Sequence, residues 1–386
     1  MVSSIKSTSK PTKAAARLHG QGLTVRTMRV RIKDKHANVL LSLSREVNMV
    51  WNYDNELCSK VLEREGRFLS AFDLAAYTRG ATKEGLNLHS QTVQAINEEY
   101  VTRRRQFKKA KLRWRTSYGS RRSLGWIPFK ASSLTYRAGR LRMFGIDAPL
   151  SLWDSYGLSN FELGPGSLSE DASGRWYLNV TVKVKKAERS TATSAIGIDL
   201  GLKNFAALST GKPIDAQQFF RKTERKIAVA QRAGKTRQVR NLHAKTKNQR
   251  KDFSHQNSTA IVSHHGAIFV GNVNATALVQ TRMAKSVLDA GWSMFKTMLQ
   301  YKCDDAGVWF GEVNEAYSTQ DCSACFARSG PKGLKDLGIR EWTCMECGTC
   351  HDRDVNAARN ILRRGLATLV VGIPALAGGA EAKFAI

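Results

Sequence analysis

Hydrophobic and polar residues alternate with a period of two along several short segments in the first half of the chain. The clearest are LTVRTMRVRI at 23–32 and WYLNVTVKV at 176–184. This alternation is typical of strands that bury one face. Shorter β signals lie at Trp126–Phe129 and at Leu134–Phe144, where Ala138-Gly139 predicts a turn.

Helical patterns interrupt this β-rich module. Apolar residues recur at helical spacing from about Ala37 to Glu63 and from Ser90 to Trp114. Because strand signals stand on both sides of them, the sequence predicts a β module that is split by a helical insertion. The module ends near Lys186, and residues 188–194 read as a polar linker.

The second half alternates buried strands with helices and predicts a second domain. The segment AIGIDLG at 195–201 reads as a buried strand, with 204–208 as its hairpin partner. Residues 221–251 hold twelve Lys and Arg and one acid, and they predict a basic helical hairpin broken near Gly234. Two further elements follow, a strand at 308–313 and an amphipathic helix from Asp354 to Leu366.

Charge narrows the class of protein. Among 386 residues there are 61 Lys and Arg against 32 Asp and Glu, which gives a net charge of +29. A globular protein this basic usually has a polyanionic partner, and nucleic acid is the leading class. A ribosomal or chromatin protein that coats phosphate is the alternative.

The basic residues cluster into runs. Residues 103–122 hold ten Lys and Arg and no acid, with Phe107, Trp114 and Tyr118 among them. Such a run can follow a phosphate backbone while its aromatic side chains stack on bases, although a solvated helix face is the simpler alternative. The candidate nucleic-acid-binding residues are Arg103, Arg104, Lys108, Lys109, Lys111, Arg113, Arg115, Lys222, Arg225 and Lys226.

Four cysteines form a metal-binding pattern. Cys322 and Cys325 make one Cys-x-x-Cys pair, and Cys344 and Cys347 make a second. This spacing predicts a zinc ribbon whose closed four-thiolate shell makes the zinc structural. Disulfides are a weak alternative because the chain has seven cysteines in all, and Cys350 is expected to be a bystander.

The ends of the chain carry no export or membrane signal. Residues 1–17 lack the apolar core of a signal peptide and predict a disordered basic arm. The apolar tail at 366–386 is broken by glycines, Pro374 and Lys383, so no membrane span is expected. We therefore expect a reduced cytoplasmic setting.

Two acids are candidate ligands for a hard divalent cation. Asp199 lies in a buried strand, and Asp354 begins the helix that follows the cysteines. A strand-end turn would explain Asp199 alone, and a helix N-cap would explain Asp354 alone. Together they fit an RNase H-like α/β fold, in which carboxylates from separate elements bind metal.

Several motifs together carry a family resemblance. They are GIDLGLKNF with Asp199, RKDFSH at 250–255, MAKSVLDAGW at 283–292, YSTQDCSAC at 317–325, and EWTCMECGTCHDRDVNAARNI at 341–361. On these segments the chain resembles TnpB, the transposon-encoded family of RNA-guided nucleases related to type V CRISPR effectors. The resemblance is dense in the second half and loose in the first.

The resemblance implies an α+β multidomain fold. The implied parts are a basic arm (1–20), a wedge β-barrel (21–36 and 122–190), a helical recognition lobe (37–121), a RuvC-like nuclease (195–320 and 351–366), a zinc ribbon (321–350) and a tail (367–386). It also implies a guide RNA from the transposon end and a double-stranded target DNA with a short flanking motif. Base pairing would then read the sequence while the protein grips the backbone. A prokaryotic, nucleoid-associated protein is expected.

One departure from the family pattern concerns the catalytic triad of Asp, Glu and Asp. Gly271 stands where the family has its glutamate, and Asn272 stands where the next acid occurs. Cleavage is then either lost, which leaves an RNA-guided repressor, or another acid supplies the carboxylate. We expect Glu315 to do so, with Glu312 as second choice, and a surface role for both as the remaining alternative.

The expected chemistry is phosphodiester hydrolysis with two Mg²⁺ ions bound by Asp199, Glu315 and Asp354. A different class remains open, a guide-independent nucleic-acid-binding protein that uses the zinc ribbon as its reader. Such a protein would need neither Asp199 nor Asp354.

Overall fold

The computed structural model describes residues 22–371 except 186, 189, 274–279, 281–283, 333–335 and 337. The predicted basic arm and the tail beyond residue 371 lie outside the described residues. The chain divides into two compact units, Met1–Lys185 and Lys186–Ile386. Each unit is described by itself below.

The first unit is built on a seven-stranded antiparallel sheet with the order β2-β6-β7-β1-β5-β4-β3. Its strands are β1 Leu23–Ile32, β2 Trp126–Phe129, β3 Leu134–Arg137, β4 Arg140–Met143, β5 Leu150–Trp153, β6 Leu163–Glu170 and β7 Trp176–Lys185. Because β1 pairs with β5 and β7, strands before and after the helical insertion share one sheet, as the pattern predicted.

The period-two alternation explains the buried face of this sheet. Met28 and Val30 of β1 lie opposite Val180 and Leu178 of β7, and all four side chains are buried. Strands β5 and β6 were not predicted. Within the described residues, hydrogen bonds do not join the edge strands β2 and β3, so the sheet is nearly but not fully closed.

Helices of the first unit pack against this sheet and share its core. They are α1 Ala37–Glu65, α2 Ala71–Tyr77 and α3 Ser90–Phe107. Gly66 ends α1 in the left-handed conformation, and Ser70 begins α2 in a capping box with Asp73. The short α2 was not predicted.

The predicted helix from Ser90 to Trp114 ends early. Lys108 adopts a left-handed conformation, with φ of 51°, and its N–H caps the helix by bonding to Arg104 and Arg105 carbonyls. The chain then folds back over α1, where the Leu112 N–H donates to Asn55 Oδ1 over 2.9 Å. Most of the basic run is therefore an irregular segment rather than a helix.

The second unit contains a mixed five-stranded sheet and a two-stranded ribbon. The described elements, in chain order, are β8 Ala195–Leu200, β9 Asn204–Leu208, β10 Pro213–Asp215, α4 Phe219–Arg232, α5 Thr236–His264, β11 Ala267–Gly271, α6 Ala284–Ala290, α7 Trp292–Ala306, β12 Trp309–Val313, β13 Glu341–Thr343, β14 Cys350–Asp352 and α8 Arg353–Val371. The sheet order is β10-β9-β8-β11-β12, with β8, β11 and β12 parallel. The predicted strands at 195–201, 204–208 and 308–313 are present as β8, β9 and β12, and the basic hairpin is present as α4 and α5.

The two faces of this sheet are covered by different helices. Ile198 and Val270 pack in a core with Ile261 of α5 and Phe295 of α7. Residues of opposite parity face α8, and Gly197 is one of them. A Cβ at Gly197 would lie 2.2 Å from the Ala358 carbonyl oxygen, so glycine permits this close approach of strand and helix.

None of the described helices is long and apolar enough to cross a bilayer.

Candidate metal centres and basic surfaces

The four predicted cysteines converge at the base of the β13–β14 ribbon. Their sulfur atoms all lie within 4.8 Å of one another. The Cys322–Cys347 pair is separated by 3.7 Å and the Cys325–Cys344 pair by 3.6 Å. A zinc ion with four thiolates at about 2.3 Å requires sulfur separations of about 3.8 Å, so the donor set fits zinc. Cys350 lies outside this cluster and is exposed.

Polar groups around the cluster favour the thiolate form of Cys344, whereas burial and the neighbouring cysteines raise the pKa of Cys325 to about 12. The Ser329 hydroxyl lies 3.1 Å from Cys344 Sγ, and this contact together with backbone N–H groups lowers the pKa of Cys344 to about 6. His351, which the sequence did not single out, places Nε2 3.0 Å from Cys322 Sγ and is buried against Trp342. Such neighbours orient metal ligands and hold them in place.

Helix α8 is fastened to the first cysteine pair by two asparagines. The side-chain amides of Asn356 and Asn360 both donate to the carbonyls of Ser318 and Asp321. Asn356 Oδ1 accepts from the Ser323 N–H over 2.8 Å. Ser318, Asp321 and Ser323 belong to the segment that begins the ribbon, so hydrogen bonds join the ribbon to helix α8.

The two predicted aspartates meet on the α8 face of the sheet. Asp199 belongs to β8 and has the same parity as Gly197, whereas Asp354 lies in the first turn of α8. Burial raises the pKa of Asp199 well above its usual range, and the nearby Glu315 and Asp354 carboxylates raise it further. Three acids therefore repel one another here, which is the situation that a divalent cation relieves.

Glu315 fills the space that a side chain at residue 271 would occupy. In the β8–β11 register Val270 lies beside Ile198, so the next step places Gly271 beside Asp199. A Cβ built on Gly271 would lie 2.5 Å from Glu315 Oε2 and 3.4 Å from Glu315 Cβ. We call this space the Gly271 notch. Glu315 reaches it from the loop after β12, and burial raises its pKa while Lys296 opposes that rise.

Glu312 lies on the opposite face. It pairs in register with Val270, whose side chain packs in the core beneath α5 and α7. Its carboxylate forms a 2.7 Å ion pair with Lys296 of α7. The geometry therefore removes Glu312 from the set of acids that share a face with Asp199 and Asp354.

The carboxylate oxygens are spread more widely than the sulfurs. Within the described part of the chain, the four cysteines form the one group of three or more ligating residues whose donor atoms all lie within 4.8 Å. Asp354 accepts from Arg340 Nη1 at 3.1 Å on both oxygens. Two-metal sites place ions about 3.5–4 Å apart and need ligands spread over such a distance. Hard oxygen donors that repel one another fit Mg²⁺.

The basic run of the first unit lines an open groove of about 840 Å³. Trp114 and Phe107 stand exposed in it, between the cations Arg103, Lys109 and Arg113. Lys108 and Lys111 are exposed nearby, and on α4 of the second unit Lys222, Arg225 and Lys226 are also exposed. Cations interleaved with exposed aromatic rings suit a nucleic-acid strand.

Two of the ten predicted basic residues, Arg104 and Arg115, are drawn out of solvent by their partners, whereas Arg103 and Lys111 stay exposed while pairing with Glu99 and Glu56. Arg104 is 4 % exposed, donates to the Leu69 carbonyl over 2.7 Å and stacks on Phe68, so little of this predicted nucleic-acid-binding side chain faces solvent. Arg115 is half-buried and bonds to Asn48 and to the Leu124 carbonyl. Burial of a paired guanidinium removes it from the surface that a backbone phosphate can reach.

The raised pKa of Asp199 predicts a stability effect without magnesium. A carboxyl whose folded pKa is raised binds its proton more tightly in the folded state, so stability falls as pH rises from the ordinary aspartate range towards the raised pKa. Asp199→Asn removes this loss. At pH 8 in magnesium-free buffer we expect a higher melting temperature, by about 2–4 °C for each kcal/mol of repulsion relieved.

The measurement is thermal unfolding at pH 5, 6.5 and 8. The exposed Asp215 of β10 gives the matched control, Asp215→Asn. The gain for Asp199→Asn should shrink as the pH falls. An Asp199→Asn protein that melts at or below the wild-type temperature at pH 8 would contradict the account of Asp199.

Comparisons with known proteins agree with this architecture. A family model described as "Probable transposase" matches residues 178–282, and one described as "Cas12f1-like, TNB domain" matches residues 292–361. A Streptomyces pristinaespiralis protein named "Putative RNA-guided DNA endonuclease" is 31 % identical over 263 residues, 63 % of each chain. InsQ of Escherichia coli (strain K12), with the same description, is 29 % identical over 231 residues, 52 % of this chain and 56 % of its own.

The alignments thus span between half and two thirds of these relatives' lengths. Among solved structures, a chain in the cryo-EM structure of a Cas12f1–sgRNA–target DNA complex aligns with a TM-score of 0.57. It covers 88 % of this chain and 99 % of that chain at 11 % identity, which is a likeness of fold.

The chain is thus similar to a family described as a probable transposase over residues 178–282 and to the Cas12f1-like TNB domain over residues 292–361, within a mixed α/β fold. More particularly, the predicted resemblance to the TnpB family is confirmed, since the matching relatives include proteins named as TnpB-like.

Proposed function

We propose that this protein is an RNA-guided DNA endonuclease whose cleavage site is formed by Asp199, Glu315 and Asp354. The observation that carries the proposal is the carboxylate of Glu315 in the Gly271 notch, beside Asp199 and on the face covered by α8. It supplies a third acid at the place where the family pattern has its glutamate and this chain has Gly271. The strand order and the inserted ribbon support a RuvC-like, RNase H-like nuclease domain in the second unit.

The proposed metal is Mg²⁺, which when bound would activate water and stabilise the leaving oxygen of a phosphodiester. The chain's own residues prepare the site. Asp199 has a raised pKa and can retain a proton until a cation arrives. Lys296 forms an ion pair with Glu312 on the face of the sheet opposite α8. Glu315 is therefore the acid that occupies the Gly271 notch. Arg340 neutralises Asp354, and a bound cation would take over that role.

The proposed partners are a guide RNA from the transposon end and a double-stranded DNA target with a short flanking motif. The net charge of +29 and the exposed cations of the basic groove and α4 support polyanionic partners. The same proposal includes a wedge β-barrel with a helical recognition lobe. It also includes a cytoplasmic, nucleoid-associated location.

The test begins with the RNA that copurifies with the protein. A single defined RNA species, identified by sequencing, would support guidance and would contradict a guide-independent ribbon protein. The complex is then incubated with matching DNA and Mg²⁺. Guided binding with no cleavage at any Mg²⁺ concentration would reject the endonuclease and leave the repressor.

A further inference from the structure

The loop that carries Glu315 is held by side chains from two other elements. Arg364 of α8 donates through Nη1 to the carbonyl oxygens of Asn314, at 2.9 Å, and Ala316, at 2.7 Å. These are the residues on either side of Glu315. The Glu315 N–H donates to Asn272 Oδ1 over 3.2 Å. The backbone is thus fixed before, at and after the acid.

Arg364 also ties this loop to the ribbon. Its Nη2 donates to Asp321 Oδ2 over 2.9 Å, while Arg328 Nε donates to Asp321 Oδ1 over 2.8 Å. Asp321 is 8 % exposed and directly precedes the zinc-ligand candidate Cys322. A guanidinium has five donors in a rigid plane and can make all three bonds, whereas a lysine ammonium is a single point on a flexible stem.

Asn272 bridges the ends of β11 and β12. Its N–H donates to the Val313 carbonyl over 2.9 Å, and its side-chain oxygen accepts from Glu315. Asn272 directly follows Gly271. The space that the Glu315 side chain fills and the oxygen that accepts the Glu315 N–H therefore come from adjacent residues. An acceptor oxygen is what the contact requires, and Asp supplies one as well as Asn.

A glutamate within a strand is oriented by the backbone hydrogen bonds between that strand and its neighbours. Glu315 lies two residues beyond the end of β12 and lacks that support. We propose that Arg364 and Asn272 are positioning residues that replace these hydrogen bonds and hold the Glu315 carboxylate in the Gly271 notch for cation binding. The inference rests on the proposed function, because it assigns Glu315 a cation to bind.

The experiment compares two pairs of variants in the full, zinc-loaded chain. Arg364→Met removes every donor while keeping an unbranched stem, and Arg364→Lys keeps the charge opposite Asp321. Asn272→Leu removes the acceptor, and Asn272→Asp keeps it. Arg359→Met is the control, since Arg359 lies on the same helix, is exposed, and makes only a 3.5 Å contact with the Ser209 carbonyl.

Two readouts are taken. Mn²⁺ affinity is measured by electron paramagnetic resonance, with Asp199→Asn as the blank for binding elsewhere. The guided cleavage rate is measured against Mg²⁺ concentration, next to guided DNA binding and melting temperature. We expect Arg364→Met and Asn272→Leu to weaken metal affinity about 10–100-fold, the range for residues that support a ligand. Guided binding should be unchanged, Asn272→Asp should lose less metal affinity than Asn272→Leu, and Arg359→Met should stay near wild type.

The Asn272 pair guards against a folding artefact, because it leaves the Asp321–Arg364 ion pair intact. Metal affinity that is unchanged in both Arg364→Met and Asn272→Leu overturns the positioning role, and so does Asn272→Asp failing as badly as Asn272→Leu. A different result would contradict the proposed function, namely a wild-type protein that never cuts its guided target. In that event the Mn²⁺ affinities of the same variants still decide whether Glu315 is held for a cation.

Discussion

Glu315→Ala is expected to abolish guided DNA cleavage while leaving guided DNA binding intact. Glu315 is the acid that shares the α8 face with Asp199 and Asp354 and fills the Gly271 notch. Removing a residue that only supports a metal ligand costs about 10–100-fold, so loss of a ligand should exceed about 100-fold. Glu315→Gln keeps the shape and should lose nearly as much, because the amide carries no negative charge.

Glu312→Ala is the matched control for this prediction. It removes an acid three residues before Glu315, within β12, but one that faces the other side of the sheet and pairs with Lys296. Exposed ion pairs contribute about 0–1 kcal/mol, so cleavage by Glu312→Ala should stay near wild type. The single-turnover cleavage rate with saturating guide and Mg²⁺ decides the matter. A Glu315→Ala protein that cuts at the wild-type rate would sink the relocated triad.

A second pair of variants tests whether cleavage depends on where the carboxylate lies rather than on which residue supplies it. In the Glu315→Ala background the notch is empty, and Gly271→Glu should return a carboxylate to it from β11. We expect part of the lost cleavage to return. Gly271→Glu alone should be destabilised, since its Cβ would lie 2.5 Å from Glu315 Oε2. Equal stability of the single and double variants would contradict the notch.

Cys344→Ser is expected to release zinc and to abolish cleavage as well. The four sulfurs already stand at zinc-like separations, and structural zinc contributes about 10–16 kcal/mol to small metal domains. Asp354 follows Cys347 by seven residues, through β14. Loss of the metal should therefore move Asp354 as well as unfold the ribbon, and cleavage should fall more than about 100-fold.

Cys350→Ser is the matched control, since Cys350 is exposed and lies outside the cluster. Zinc content by elemental analysis, melting temperature and cleavage rate are measured on both variants. Binding of the copurified RNA should survive in Cys344→Ser, because the basic groove of the first unit does not depend on the ribbon. A Cys344→Ser protein that keeps one zinc per chain would contradict the four-cysteine site.

The sequence predicted the parts of this fold that depend on local periodicity. Strands β1 and β7 alternate because one face is buried, and the spacing of the cysteines identifies the four that converge. The end of α3 was missed, because Lys108 adopts a left-handed conformation that favours glycine or asparagine. The fate of Arg104 depends on the Leu69 carbonyl, which is distant in sequence.

The same distinction between local pattern and contacts distant in sequence applies to the candidate site. Asp199 and Asp354 stand in motifs, whereas the choice between Glu315 and Glu312 depends on which face of β12 each side chain takes. Arg340 and Arg364 were not singled out, and Asn272 was noted only for standing where the family has an acid, because the partners of all three come from other elements. One signal was available in the sequence: Asn356, Asn360 and Arg364 recur every four residues and so share one side of α8.

That stripe on α8 has a consequence for anyone who wishes to exchange ribbons between related nucleases. The ribbon as read from its cysteines spans 321–350, but its hydrogen bonds reach outwards to Ser318 on one side and to Arg364 on the other. A graft cut at the cysteines would sever these bonds and leave the buried Asp321 facing a foreign helix. Arg364 also holds the carbonyls of Asn314 and Ala316, so the transferable cassette is 314–364, and it carries Glu315 and Asp354 with it.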